Sequence, residues 1–186
     1  MILFMADWHI KLGQKNVPLP FACSRYKLFF EEIYELEKSA SMHIIGGDLF
    51  DRVPSMDEIT LYFDFIKDVS IPTIIFDGNH EATKKNKTFF TNLKRATTDI
   101  NELVTIVDET TEFEFGTILP YADLHKKGSI EKCNPKLPLY THVRGEIPPH
   151  VTPEVDLSRF DKFPVVFAGD LHSHSNTQRN IVYPGS

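Results

Sequence analysis

Four short motifs bring metal-binding side chains together in order along the chain: Asp7-Trp8-His9, Gly46-Gly47-Asp48, Gly78-Asn79-His80 and Gly169-Asp170-Leu171-His172. A lone His142 sits between the third and fourth. Carboxylates, imidazoles and one amide, with no thiolate among them, suit divalent ions of the magnesium, manganese and zinc type. Such ions do hydrolytic work by polarising a phosphoryl or carbonyl oxygen and acidifying water. Each motif follows an apolar run, at residues 2–5, 42–45, 73–76 and 165–168, that reads as a strand. The donors are therefore expected along the carboxyl edge of a sheet, where open α/β sheets bind their ligands.

Taken singly these residues are ordinary. Gly-Asp and Gly-Asn pairs are common turns, and a lone strand-end histidine is commonplace. Asp7 and His9 are two apart, so in an extended segment they would share a face and could reach one ion. Asp170 and His172 repeat that spacing. The conjunction carries the argument, because every motif follows a strand and precedes a loop. Seven candidate ligands, Asp7, His9, Asp48, Asn79, His142, Asp170 and His172, exceed what one catalytic ion needs while keeping positions open. Two ions are expected, roughly 3.5–4 Å apart, with Asp48 as the bridging carboxylate.

The elements that must position these groups are legible in outline. A loop over 10–21 precedes a helix with Ser24 as a candidate N-cap and Leu28, Phe29, Ile33 and Leu36 as its apolar face. A second helix opens at Ser55, with Glu58 three residues on as a capping box. Its expected buried face is Ile59, Tyr62, Phe63 and Ile66. A third short helix is predicted over 88–96. Short strands are predicted at 104–107, 112–115, 118–119, 137–141 and 181–183, with a proline-rich loop at 146–153. Helices alternate with strands early and strands dominate later, which predicts an α/β layered sandwich of two mixed β-sheets flanked by helices.

Composition sets the limits. A chain of 186 residues with 41% hydrophobic content and 15 Phe supports one core. No apolar stretch is long enough to span a bilayer. Cys23 and Cys133 match no metal or redox spacing and read as reduced thiols. The first strand starts at the initial Met, leaving no room for a signal peptide, so a cytoplasmic location is expected. A net charge of -6 argues against a pure nucleic-acid binder but not against an enzyme acting on one. Lys11, Lys15, Arg52, Lys84, Lys85, Lys87, Arg144 and Arg179 all follow the motifs or His142. They read either as solvated loop cations or as a rim that guides a phosphate backbone to the metals.

Taken together, the motifs resemble those of the calcineurin-like metallophosphoesterase superfamily, whose pattern is D-x-H, G-D, G-N-H-[DE], a lone His, then G-H-x-H. The resemblance runs from Asp7 to His172. Within the superfamily the chain looks most like the SbcD-type DNA repair and recombination nucleases and their phage counterparts. Gly47-Asp48-Leu49-Phe50-Asp51-Arg52, Leu119-Pro120-Tyr121 and the closing Tyr183-Pro184-Gly185-Ser186 support this. The resemblance implies that Asp7, His9, Asp48 and His172 hold one ion and Asp48, Asn79, His142 and Asp170 the other, with Mn²⁺ favoured and Mg²⁺ the alternative. It implies that His80 contacts the scissile phosphate and acts as general acid. Glu81 would orient His80 or support a helix start, Asp51 would stand behind the ligands, and Arg52 would support the site or bind substrate.

Two departures matter. The family's Gly-His-x-His reads Gly169-Asp170-Leu171-His172 here, which makes the site harder and more anionic. A rival alignment takes His172 and His174 as the pair. In the family, Tyr-Pro-Gly-Ser leads into further strands, a DNA-capping domain and a segment that binds an ATPase. Residues 1–186 are therefore expected to be one metallophosphoesterase domain without its last strands and cap. The implied function is exonuclease and endonuclease action on DNA with an SbcC-like ATPase; the alternative is a phosphoesterase for a nucleotide or other small molecule. The family's homodimer uses helices of the first half, here around 56–69 and 88–96, so Leu61, Phe65, Phe89 and Phe90 are candidates for an interface, with buried core the favoured reading for most of them.

Overall fold

The computed structural model describes residues 1–84, 87–173 and 176–185. The chain starts with β1 (Ile2–Met5), then α1 (Leu19–Glu37), β2 (Met42–Gly46), α2 (Met56–Asp68) and β3 (Thr73–Phe76). A small ribbon of β4 (Ala82–Lys84) and β5 (Lys87–Thr88) leads to α3 (Phe90–Ile100) and β6 (Val104–Val107). The second half holds β7 (Thr111–Phe113), β8 (Gly116–Leu119), α4 (Tyr121–Leu124), α5 (Ser129–Lys132), β9 (Leu139–His142), a 3-10 turn at Leu157–Phe160, β10 (Val166–Gly169), β11 (Asn176–Gln178) and β12 (Ile181–Tyr183).

Two sheets result. The first, ordered β1-β2-β3-β6, is parallel throughout. The second is ordered β11-β12-β10-β9-β8-β7, parallel in its centre and antiparallel at both edges. The layered α/β sandwich is thus borne out, with one of its sheets unmixed. Parallel neighbours need crossover helices, and α1, α2 and α3 supply them in the first half. Register keeps the carboxyl ends level. Met5 pairs with Ile45, Ile45 with Ile75, and Gly169 with His142, so every motif emerges along one edge.

The sheets pack face to face through Ile44, Ile74, Phe76 and Val107 on one side and Ile118 and Tyr140 on the other. Tyr140 stacks on Phe167 with ring centroids 5.2 Å apart. A second core lies under α1–α3, where Trp8 meets Phe29 and Phe65 edge-on. A third, built on Leu139, Phe160 and Val166, lies on the outer face of the second sheet.

Several elements differ from expectation. The first helix begins at Leu19, with prolines in place of a polar cap, and Ser24 is inside it, its hydroxyl donating to the Pro20 carbonyl. Its buried stripe is Ala22, Phe30, Ile33 and Glu37, while Leu28 and Leu36 are 61% and 50% exposed. Apolar residues surround this helix, so its rotation is decided by a polar contact: buried Glu37 meets His43 Nδ1 at 2.8 Å. The Ser55–Glu58 capping box forms as expected, but α2 buries Leu61 and Phe65 along with Tyr62 and Ile66, and Ile59 and Phe63 are half-buried. Leu61, Phe65 and Phe90 belong to the core, so no dimer contact runs through them. Helix α3 starts two residues later than predicted and runs four further.

Candidate metal centre

The first motif reaches the edge by an unexpected route. Asp7 and His9 do not share a face of an extended segment; both adopt left-handed backbone, with φ of 60° and 47°. The parallel pairing continues through them nonetheless. Asp7 N donates to Gly47 O at 3.1 Å and His9 N to Asp48 O at 2.9 Å. Trp8, between them, turns into the core. Tyr26 clamps the loop from α1, its hydroxyl donating to His9 O at 3.0 Å and accepting from Lys11 N at 2.9 Å.

Asp48 is the centre of the arrangement. Its Oδ2 lies 3.4 Å from His142 Nε2, 3.8 Å from His80 Nε2 and 3.9 Å from His9 Nε2. Its Oδ1 accepts from His80 N at 2.9 Å. The backbone here is left-handed, at φ 51°, and is held by Glu81. That buried carboxylate accepts from the amides of Asp48, Phe50 and Gly78 at 2.8–2.9 Å. Glu81 therefore neither orients His80 nor supports a helix start; it ties the second motif to the third. Glycine is required at this crossing. A Cβ on Gly78 would collide with Asp48, and one on Gly47, at φ +88°, would come within 2.5 Å of His142 Nδ1.

His142 reaches across from the second sheet. Its Nδ1 is 3.0 Å from the Gly46 carbonyl and donates there, which turns Nε2 towards Asp48 and Asn79 Oδ1, the latter at 3.0 Å. Burial would lower its pKa, but the Asp48 and Asp7 carboxylates override this and raise it to about 10. Burial alone would likewise raise Asp48; the His142 charge and hydrogen bond hold it down at about 2. Burial pushes Asp7 and Asp170 upward and His9 downward. Burial and the Asp48 charge push Glu81 upward, and the amides of Phe50 and Gly78 pull it back.

His172 Nε2 lies 3.0 Å from His9 Nε2 and 3.9 Å from Asp7 Oδ1. Two imidazole nitrogens that close, beside a carboxylate, are placed to share a cation. Among the described residues, three overlapping groups could hold an ion, with donor atoms within 4.8 Å: Asp7/His9/His172, His9/Asp48/His80 and Asp7/Asp48/His142. The donor set fits divalent ions of hard to borderline character. Asp170 stands at the margin. Its amide donates to the Asp7 carboxylate at 3.1 Å, and its own Oδ1 faces Arg144 Nε at 3.5 Å. The rival ligand His174 lies outside the described residues.

His80 is aimed by a backbone group the sequence does not advertise. Its Nδ1 donates to the Asp51 carbonyl at 2.5 Å, leaving Nε2 towards Asp48. The Asp51 side chain instead binds Lys11 at 2.6 Å. Arg52 turns away from the cavity onto buried Glu58, at 2.8–3.1 Å. Arg179 pairs with Asp161. Lys11, Arg52 and Arg179 of the proposed cationic rim are therefore matched by acids, and the Lys84 side chain and Lys85 lie outside what is described. A cavity of about 610 Å³ opens over Asp48, Asn79, His80, Asp170 and His172, roofed by residues 147–152.

Comparison with known proteins agrees with this geometry. The profile of the calcineurin-like phosphoesterase family matches residues 1–174. The "Probable exonuclease subunit 1" of Escherichia phage T5 is 38% identical over 199 aligned residues. The alignment covers 100% of this chain and 59% of that curated relative.

Proposed function

Because the chain belongs to the calcineurin-like phosphoesterase family, we propose that it is a metal-dependent nuclease that hydrolyses DNA phosphodiesters. The observation that carries this reading is the convergence of His9, His80 and His142 on the single Asp48 carboxylate, with Glu81 fixing its backbone. Asp7, His9, Asp48 and His172 would hold one divalent ion, and Asp48, Asn79, His142 and Asp170 the other, with Mn²⁺ the preferred metal. When bound, these ions supply Lewis-acid polarisation of the phosphate and a water of lowered pKa.

The protein's own groups do the rest. Asp48 would serve as a ligand to both ions. His142 Nδ1, committed to Gly46 O, keeps Nε2 available as a donor atom. His80 Nε2, set by the Asp51 carbonyl, protonates the leaving sugar oxygen. The phage relative's name supplies the word exonuclease, and its description as a subunit fits a protein that works with a partner; the partner we propose is an SbcC-like ATPase, in repair or recombination. The test is cleavage of linear duplex and single-stranded DNA with Mn²⁺, Mg²⁺ or EDTA, by wild type and His80→Ala. Mn²⁺-dependent cleavage that the variant loses is the expected result; metal-independent cleavage would sink the proposal. A second reading, a small-molecule phosphodiesterase, is favoured by the acid-paired rim. Hydrolysis of a chromogenic diester with none of DNA would select it.

A further inference from the structure

A polar string runs from the start of α4 to the edge of the metal centre. Tyr121 OH donates to Glu154 Oε2 at 2.7 Å, and His125 Nε2 lies 3.0 Å from the same oxygen. The other oxygen, Oε1, faces Arg144 Nη1 at 3.6 Å, and Arg144 Nε faces Asp170 Oδ1 at 3.5 Å. Tyr121 also packs edge-on over His142, with centroids 6.2 Å apart. The string joins two parts of the chain that the metal ligands leave unexplained, the Leu119-Pro120-Tyr121 segment and the loop after β9.

Arg144 is held more loosely than Arg52 and Arg159. Arg52 sits on Glu58 at 2.8–3.1 Å, and Arg159 makes two parallel bonds to Glu131 at 2.8 and 2.9 Å. Both contacts of Arg144 exceed hydrogen-bond length, its side chain is 38% exposed, and it lines the same cavity as His80 and Asp48. A guanidinium has five donors in a flat fork that matches two oxygens of a phosphate. Among the described residues those donors make no hydrogen bond, at the mouth of a phosphoesterase cavity. Glu154, itself gripped by Tyr121, faces Nη1 while Nε faces Asp170, so the guanidinium is spread between the two carboxylates.

We propose that Arg144 grips a non-bridging oxygen of the substrate phosphodiester on the Asp170 side of the cavity, with Glu154 and Tyr121 as its positioning residues. This rests on the phosphoesterase reading above and adds to it a substrate contact. No bond is made or broken by Arg144; it orients the phosphate for attack.

The test compares wild type with Arg144→Ala, Arg144→Lys, Glu154→Gln and Tyr121→Phe. Kinetics use an oligonucleotide and a chromogenic diester with Mn²⁺. Arg144→Ala is expected to raise KM about ten- to hundredfold on both substrates, the worth of a hydrogen bond to a charged group. Arg144→Lys should recover part of this, since a point charge replaces a fork. Glu154→Gln and Tyr121→Phe should raise KM less, and Tyr121→Phe should add nothing on top of Arg144→Ala. A second readout needs no turnover. Anisotropy of a labelled oligonucleotide in EDTA should show Arg144→Ala lowering the salt slope by about one phosphate contact. An unchanged KM and salt slope overturn the inference. So does weaker Mn²⁺ binding by calorimetry with KM unchanged, which would make Arg144 a prop for Asp170. If wild type hydrolyses neither substrate, the proposed function has failed instead, and the salt slope alone judges Arg144. Melting curves confirm folding, and Arg144→Gln substitutes if the alanine variant is unstable.

Discussion

Asp48 and Asp170 occupy matching places, each just beyond the end of a parallel strand and each in left-handed backbone, at φ 51° and 104°. They are held in very different ways. Around Asp48, one buried carboxylate collects three amides, two glycines allow close crossing, and two further amides pair across from the first motif. Around Asp170, the support is its amide on Asp7 and a loose contact to Arg144, and His172 beyond it is 55% exposed. One arm of the centre is preformed; the other is adjustable. On the proposed assignment, the donor that both metals would share is the fixed one, and the ligands that would flank the substrate are the tunable ones.

The sharpest way to break the comparison is to remove the fixed donor. Asp48→Ala should cut turnover by at least about a thousandfold, because several kcal/mol of transition-state stabilisation go with the metals. Calorimetry should show both Mn²⁺ sites weakened; loss at one only would contradict a shared donor. His80→Ala comes next. Turnover should fall roughly a hundred- to thousandfold while Mn²⁺ stoichiometry is kept, and loss of an ion would make His80 a ligand. Glu81→Gln tests the strut. An amide nitrogen would face a backbone donor, so Mn²⁺ affinity should weaken about ten- to hundredfold and stability by roughly 1–3 kcal/mol. Equal losses for Asp170→Asn and Glu81→Gln would erase the distinction between the arms.

Smaller effects should come from the adjustable side. Asp170→His, which restores the family pattern, should be tolerated and shift the preference from Mn²⁺ towards Zn²⁺ by roughly tenfold or less, read by competitive calorimetry. The smallest concerns the brace behind the first motif, where Glu58 accepts from Leu12 N at 2.8 Å and binds Arg52. Burial would raise Glu58, but Arg52, Ser55 and Leu12 hold it down at about 2, below its ordinary 4.5. A depressed carboxyl stabilises the fold fully above pH 4.5 and loses that stabilisation as pH falls towards 2. Urea midpoints at pH 5 and pH 3 should converge in Glu58→Gln by roughly 1 kcal/mol or less relative to wild type, since Arg52 is half-exposed. An identical pH dependence in both would exclude the brace.

Much of this contrast is invisible in the sequence, for identifiable reasons. Strand ends and donor types are legible because apolar runs and short motifs are local; so is the capping box at Ser55. The rotation of α1 is not, since it is decided by Glu37 meeting His43 across the core. The spacing of Asp7 and His9 suggests an extended pair, whereas both residues are left-handed because the chain must pair with 47–49 while sending Trp8 inward. Glu81 acts on backbone amides and the Asp51 carbonyl is itself a backbone group, and backbone groups leave no mark on residue identity. Strand β11 escapes notice because Asn176, Thr177 and Gln178 lack the apolar alternation that betrays a strand.

The bond from the Asp170 amide to the Asp7 carboxylate spans 163 positions, as does the approach of His172 to His9. Contacts this distant close late, because the loop entropy must be met before they can contribute. The two arms therefore meet only after both sheets have formed and docked, and on the proposed ligand assignment the pair of ion sites is complete only once residue 172 is in place. Ion uptake and completion of the fold are then linked equilibria: loading reports the finished molecule, and partly folded chains lack a complete site.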